Sequence, residues 1–391
     1  MNAPSITLCT FTYNDGRLAD DLLRHVQTWT VAPDAILITD DGSTPPYASS
    51  DLPRNASILR LPRNLGITKA KHLGVSAAKT DLILSMDCDA RVVPEWLTLC
   101  LPHALRPEIG AVCGPVVHAA GDDLVSRFLR AFGDNHNLAA DGPVEFIPGN
   151  AYLIRRSVWE RVGGFGDYCR NVCEDHYLSS KIKSAGLSLY CEHRARAAQV
   201  RKISRHAMIK RFWKWCHKPV KGELPEQEDF AGYLWLAFVT PLVDRLSIAA
   251  ERGEPLFIYI ELLYFSHVVL NLLDYAVPAR GYDPALAAAW LAALARLASG
   301  RPKLAALLFA DLAALGHDLG RDLARAEADS APGPESGPFD EIFSVFESLA
   351  KTGVYDWFER EGLAAMLAEE RTNEVDFSFY QNAAHDTGES G

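Results

Sequence analysis

Hydrophobic and polar positions change rhythm about halfway along the chain. Up to about residue 200, short apolar runs end in polar residues: SITLCTF (5–11), AILITDD (35–41), ASILRLP (56–62), LILSMDCD (82–89) and IGAVCGPVV (109–117). Helical segments over 17–30, 68–79 and 94–105 separate them, the last punctuated by Pro94 and Pro102. This alternation predicts a mostly parallel sheet with helices on both faces. Ligands of such sheets bind beyond the carboxyl ends of the strands. Asp40–Asp41 and Asp87–Asp89, at two strand ends, are therefore expected to face one crevice.

From about residue 222 the strand signals vanish. Residues 284–300 and 302–326 are Ala/Leu-rich amphipathic helices. DSAPGPESGP (329–338) reads as a linker, 339–351 and 355–370 as short helices, and HDTGESG as a flexible tail. The fold class is thus α/β followed by an all-α C-terminal region, with boundaries expected at 1–221, 222–328, 329–338 and 339–391. The most apolar stretch, 256–273, carries Glu261, His267 and Asn271. Such interruptions favour a buried or interfacial helix over a membrane span, so no transmembrane segment is expected.

Composition narrows the classes. The formal net charge is -11, which argues against general nucleic-acid binding. The eight cysteines all precede residue 217 without a disulfide-like rhythm, as in a reduced, cytoplasmic enzyme. Cys169, Cys173, Cys191 and His193 match no standard zinc spacing. No basic start followed by a long apolar run marks a secretory signal.

Four motifs carry candidate chemistry, and each has a plainer reading. Asp87 and Asp89 suit a hard divalent cation such as Mg²⁺ or Mn²⁺, or form a solvated turn. DDGST (40–44) offers a carboxylate to the imino N–H of uracil, thymine or guanine, or is a glycine turn with a capping serine. In RNLGITKAKHLG (63–74), Gly66 allows a tight turn. Lys71, one helical turn later, brings a cation near a diphosphate, or belongs to a capped surface helix. Glu174–Asp175 open a helix, either as dipole partners or with a general base among them.

The order TYN, DDGS, N-x-G…A-K, DCD, PGNAYLIRR, GGFG, ED and KIKSAG closely resembles the family 2 glycosyltransferases of GT-A fold, over roughly residues 5 to 200. The resemblance implies a GT-A nucleotide-binding domain and assigns roles. Tyr13 would pack on the base and Asp41 would accept its imino group. Lys71, where the family usually has arginine, would lie near base and phosphate. Asp87 and Asp89 would hold the metal, Asp87 also the donor, and Asp175 would be the catalytic base. Gly149, Asn150, Gly164 and Glu174 are assigned to the acceptor side, with Trp215 added from the basic segment. Phe11 and His72 depart from the pattern. The histidine often found after the last strand is missing, with Arg201 or Lys202 in its place.

The resemblance implies inverting, metal-dependent transfer of a hexose-type sugar from a nucleoside-diphosphate sugar, UDP foremost, and with no transmembrane segment expected a non-processive enzyme is favoured. Glycan, lipid-linked or protein acceptors all remain open. The competing reading is a catalytically weak GT-A scaffold whose helical half binds a protein. The basic, aromatic stretch 203–221 reads as a hinge helix, a diphosphate or acidic-acceptor contact, or a peripheral membrane contact. The helical region is also a candidate homodimer surface.

Overall fold

The computed structural model describes residues 3–132, 140–168, 170–319, 338–349 and 353–371. The expected linker, apart from Pro338, and the expected tail lie outside the described residues. Among those described, two compact units separate: 3–122 with 129–202, and 123–128 with 203–371. The division falls at 202/203, and the helix α7 (Arg205–Gly222) groups with the second, helical unit.

In the first unit, β1 (Ile6–Thr12), β2 (Ala35–Asp40), β3 (Ala56–Arg60) and β4 (Leu82–Met86) are parallel, in the order β3-β2-β1-β4. Side chains alternate across this sheet. Leu82 and Leu84 face one core with Leu8, Ile36, Ile38 and Trp96, whereas Ile83 faces the other with Cys9, Phe11 and Val75. Three helices close these faces: α1 (Gly16–Val26), α2 (Ile67–Ala77) and α3 (Trp96–Ala104). Helix α1 stops four residues before the expected end; Thr28 Oγ1 caps it by donating to the His25 carbonyl.

Beyond β4 the sheet departs from the simple parallel expectation. β5 (Ala90–Val92) leaves it. β6 (Ile109–Cys113) is separated from β4 by an antiparallel strand, β9 (Ala151–Arg155), which pairs with both. β10 (Ser188–Cys191) runs parallel to β6 and carries β8 (Gly142–Val144) at the edge. A three-stranded sheet joins β5, β11 (Ala197–Gln199) and β7 (Val116–His118). Because β9 is antiparallel, its amino end lies at the same sheet edge as the carboxyl ends of β1, β2 and β4. That places Gly149 and Asn150 beside the two acid pairs.

The helical unit is built around Pro255–Arg280. Two helices, Gln227–Glu251 and Pro255–Arg280, are long and apolar enough to cross a membrane by length and composition. The second is mostly buried, and its Glu261 pairs with Arg245 at 2.9 Å, the placement of a core helix. The first is more exposed, with Leu236 at the surface. A buried polar knot fixes α7: Asp311 accepts Arg205 Nε at 2.9 Å and Nη2 at 2.6 Å, and also receives His206 and Tyr259. Burial alone would raise the Asp311 carboxyl, but these donors outweigh it and hold it at about 2.

Candidate active site

The end of β2 supplies two acids with different duties. Asp40 is fully buried and satisfied internally. It accepts the Ser43 and Tyr47 N–H groups at 2.9 and 2.8 Å and pairs with Arg60. Asp41 turns the other way, accepting Leu65 N–H at 2.7 Å and Gly66 N–H at 3.0 Å. Burial pushes its carboxyl up to about 6 against those donors, with Asp40 adding to the rise. Each carboxylate oxygen has two lone pairs, so Asp41 retains acceptor capacity for a ligand N–H. Gly66 has φ 85°, and a Cβ there would lie 2.2 Å from the Asn171 side chain, so glycine is required in this turn.

The loop after β1 is tied to the same corner. Asn14, with φ 52°, donates its N–H to Ser43 Oγ at 2.8 Å, and its side-chain oxygen accepts Thr44 N–H at 2.7 Å. Tyr13 is half-buried at the end of β1. Cys173, with φ 56°, immediately precedes Glu174 and Asp175. Among the described residues, Asn14 and Cys173 are the non-glycine positions in the left-handed region, and both border the acid cluster. Strained backbone concentrates at functional sites.

At the end of β4, Asp87 donates its N–H to the Asn150 carbonyl at 2.9 Å. Its carboxylate pairs with Lys71 Nζ at 2.9 Å. Lys71 is 2% exposed, and its ammonium also meets Glu174 Oε1 and the Gly149 carbonyl, each at 2.9 Å. Burial would lower the ammonium, but Asp87 and Glu174 raise it further, so it stays charged. Burial lifts the Asp87 carboxyl to about 6 despite Lys71, and the Asp89 and Glu174 charges add to the shift.

Asp175 lies in the first turn of α6 (Glu174–Ser184), where its oxygens accept Gly149 N–H at 3.1 Å and His176 N–H at 2.8 Å. The Gly149 peptide is thus held at both ends, its N–H by Asp175 and its carbonyl by Lys71. A Cβ at Gly149 would come within 3.2 Å of Glu174 Oε1 and 3.3 Å of Asp175 Oδ2. Burial, then the charge of Glu174, raises the Asp175 carboxyl above the ordinary range. A carboxyl raised in this way is a stronger base, which suits proton abstraction.

Asp89 is engaged by Arg201, whose Nε donates to Oδ2 at 2.7 Å while Nη1 reaches Asp15. Of the two basic residues standing for the family's histidine, Arg201 turns to the acids and Lys202 is exposed. Asp15 was not singled out from sequence; its signal is a polar residue just past the end of β1. Gly164 is buried with its Cβ position 2.3 Å from the Trp159 ring, so only its backbone is available. Trp215 lies on α7 in the helical unit, with the Arg211 guanidinium 4.6 Å over its ring.

The donors and charge of the cluster fit a divalent cation. Asp87 and Asp89 offer hard oxygen ligands one residue apart, and the Asp87 side chain is 25% exposed. Five carboxylates (Asp15, Asp87, Asp89, Glu174 and the adjacent Asp175) face two cations (Lys71, Arg201), and a negative excess of this kind suits a divalent ion. A separate surface group, Asp141, Glu192 and His193, brings ligand atoms within 4.8 Å, but Glu192 is committed to Arg194 and His103.

Residues 7–163 match the model of the family described as glycosyl transferase family 2. The O-antigen chain rhamnosyltransferase RfbN of Salmonella typhimurium is 29% identical over 210 residues, 48% of this chain and 63% of that protein. The match thus spans under two thirds of that relative's length. Among solved structures, GalNAc-T7 with UDP, GalNAc and Mn²⁺ aligns with TM-score 0.42 and 13% identity, over 59% of this chain and 48% of that one. The mannosyltransferase PcManGT of Pyrobaculum calidifontis, with GDP-Man and Mn²⁺, aligns with TM-score 0.41 and 18% identity, over 81% and 88%. Neither likeness, at a score below 0.5, bears on the chemistry of this chain.

Proposed function

With residues 7–163 forming a glycosyl transferase family 2 domain of the GT-A fold, we propose that the protein transfers a sugar from a nucleoside-diphosphate sugar to an acceptor hydroxyl. The observation that carries this is the Lys71 junction. It ties the donor-side acid Asp87 to Glu174 and Gly149, the segments that hold the base Asp175.

Tyr13 packs on the nucleobase and Asp41 accepts its imino N–H, which selects uracil, thymine or guanine, with UDP the first to test. Asp87 and Asp89 would hold a divalent cation, Mn²⁺ or Mg²⁺, which would supply Lewis-acid stabilisation of the departing diphosphate. Asp175 removes the acceptor's hydroxyl proton, and the oxygen attacks the anomeric carbon opposite the leaving group, inverting its configuration. Lys71 fixes Asp87 and the Gly149 peptide, and so orients both halves of the reaction. Asn150 and the Gly164 backbone border the acceptor. The similarity to a rhamnosyltransferase makes rhamnose a first sugar to test.

Incubation of the full chain with a panel of nucleotide-sugars and Mn²⁺, reading nucleoside-diphosphate release, tests the proposal. The expected result is release with at least one donor that has an imino-bearing base. Release confined to cytidine or adenosine donors overturns the base assignment.

A further inference from the structure

The segment after β8 is fastened to α6 along a seam. Glu145 pairs with Lys183 at 2.6 Å, and Phe146 stacks on His176 with ring centroids 4.3 Å apart. Ile147 N–H donates to Ser179 Oγ at 3.0 Å, and Gly149 N–H donates to Asp175 Oδ2 at 3.1 Å.

These contacts are unequal. Glu145 is 89% exposed, so its ion pair is screened by solvent and contributes little. His176 is exposed as well. Ile147 and Ser179 are buried, the serine at 1% exposure, so solvent does not stand in for a lost partner there. The Ser179 hydroxyl uses both its donor and an acceptor lone pair. Its proton goes to the Asp175 carbonyl at 2.6 Å, and its oxygen takes the Ile147 N–H. One hydroxyl thus joins the peptide of Asp175, four residues earlier on the helix, to the segment whose Gly149 N–H grips the same residue's carboxylate.

We propose that Ser179 is a positioning residue for the base Asp175. It keeps the helical turn that carries Asp175 in register with the Gly149 peptide, and it is too buried to meet a substrate itself. This rests on the reading of Asp175 as the base. Without the hydroxyl, the Ile147 N–H is left buried and unsatisfied, so residues 147–149 shift towards another partner. Gly149 then holds the Asp175 carboxylate less well. An N–H donated to a carboxylate favours its charged form, so losing that bond raises the Asp175 carboxyl further. Glu174, Lys71 and His176, the other charged or titratable groups acting on Asp175, stay unchanged in the variants below.

The test is nucleoside-diphosphate release by the full chain from UDP-, TDP- and GDP-sugars in Mn²⁺, across pH, for wild type, Ser179→Ala, Asp175→Asn and the double variant. Calorimetry of UDP, TDP and GDP reports donor-side affinity, and thermal melting reports folding. Ser179→Ala is expected to lower kcat about tenfold, the scale of a small misplacement of a reacting group, with diphosphate affinity changed by less than about twofold. The acid limb of its kcat/KM profile is expected to move up by about half a pH unit. In the Asp175→Asn background the same substitution is expected to cost less than about twofold more, because the serine acts through that carboxylate. Ser179→Cys, close in size with much weaker hydrogen bonding, is expected to show the same changes in smaller measure, and it carries the test if the alanine variant does not fold. A folded variant with wild-type kcat and an unmoved acid limb overturns the inference alone. So does an equal loss of kcat in both backgrounds, or a loss matched by diphosphate affinity, since a merely structural role gives either result. No release by wild type from any of these sugars overturns both this inference and the reading of Asp175 as the base.

Discussion

Lys71 and Glu174, 103 residues apart in sequence, meet at 2.9 Å in the interior of the first unit. An ammonium this deeply buried is tolerable only because it is paired twice and also bonded to a carbonyl. Removing it leaves Asp87 and Glu174 facing each other in a desolvated setting. Lys71→Met is expected to destabilise the protein by about 3–5 kcal/mol, the scale for breaking a buried pair from one side. Urea unfolding followed by circular dichroism measures this, and a loss below about 1 kcal/mol would show that the junction is not a stability element.

Asp175→Asn should lower kcat by about 10²–10⁴ while leaving nucleoside-diphosphate affinity nearly unchanged, because a base acts on the acceptor. The amide keeps one acceptor oxygen and so only one of the Gly149 and His176 N–H contacts, and thermal melting of the variant reports whether the fold holds. Single-turnover assays beside calorimetry separate the two effects. Turnover at the wild-type rate removes Asp175 from the mechanism.

Gly149→Ala probes the same base through its support. The new methyl group would press on Glu174 and Asp175 at 3.2–3.3 Å, displacing the base by a few tenths of an ångström. Misplacement of reacting groups is costly, so kcat is expected to fall about tenfold or more, with donor affinity changing less. An unchanged kcat would mean that the base tolerates this displacement.

Asp41 gives a pH signature. Its carboxyl is raised to about 6 in the folded protein, mainly by burial. The native state therefore binds this proton more tightly than the unfolded chain, whose aspartates titrate near 3.9. The group favours the fold at low pH, and that contribution is lost as pH rises from about 4 to about 6. Asp41→Asn removes the titration. Its melting temperature relative to wild type should thus improve as pH rises through this window, whatever the constant cost of altering the contacts to Leu65 and Gly66. A difference that stays flat from pH 4 to 7 contradicts the assignment.

The sequence made the first four strands legible because each is an apolar run ending in polar residues, and that pattern also located Asp41, Asp87 and Asp89 at one sheet edge. It did not reveal β5, β8 or β11, which are three residues each, too short for a period of two to show. β9 was read as part of the PGNAYLIRR motif, not as an antiparallel strand, so the reason Gly149 and Asn150 reach the acids was hidden. Glu174 beside Asp175 looked like dipole complementation, since its partner Lys71 is remote in sequence. The basic run 203–221 reads as solvated, yet Arg205 is buried on Asp311, 106 residues away.

The central claim is that the acid cluster at the ends of β1, β2 and β4 serves transfer from a nucleoside-diphosphate sugar. Its most direct measurement is nucleoside-diphosphate release by the full chain from UDP-, TDP- and GDP-sugars, with and without Mn²⁺, for wild type and Asp175→Asn. The account predicts release by wild type that Mn²⁺ accelerates and that the asparagine variant lacks. No release from any of these donors, together with no calorimetric binding of UDP, TDP or GDP, would contradict it.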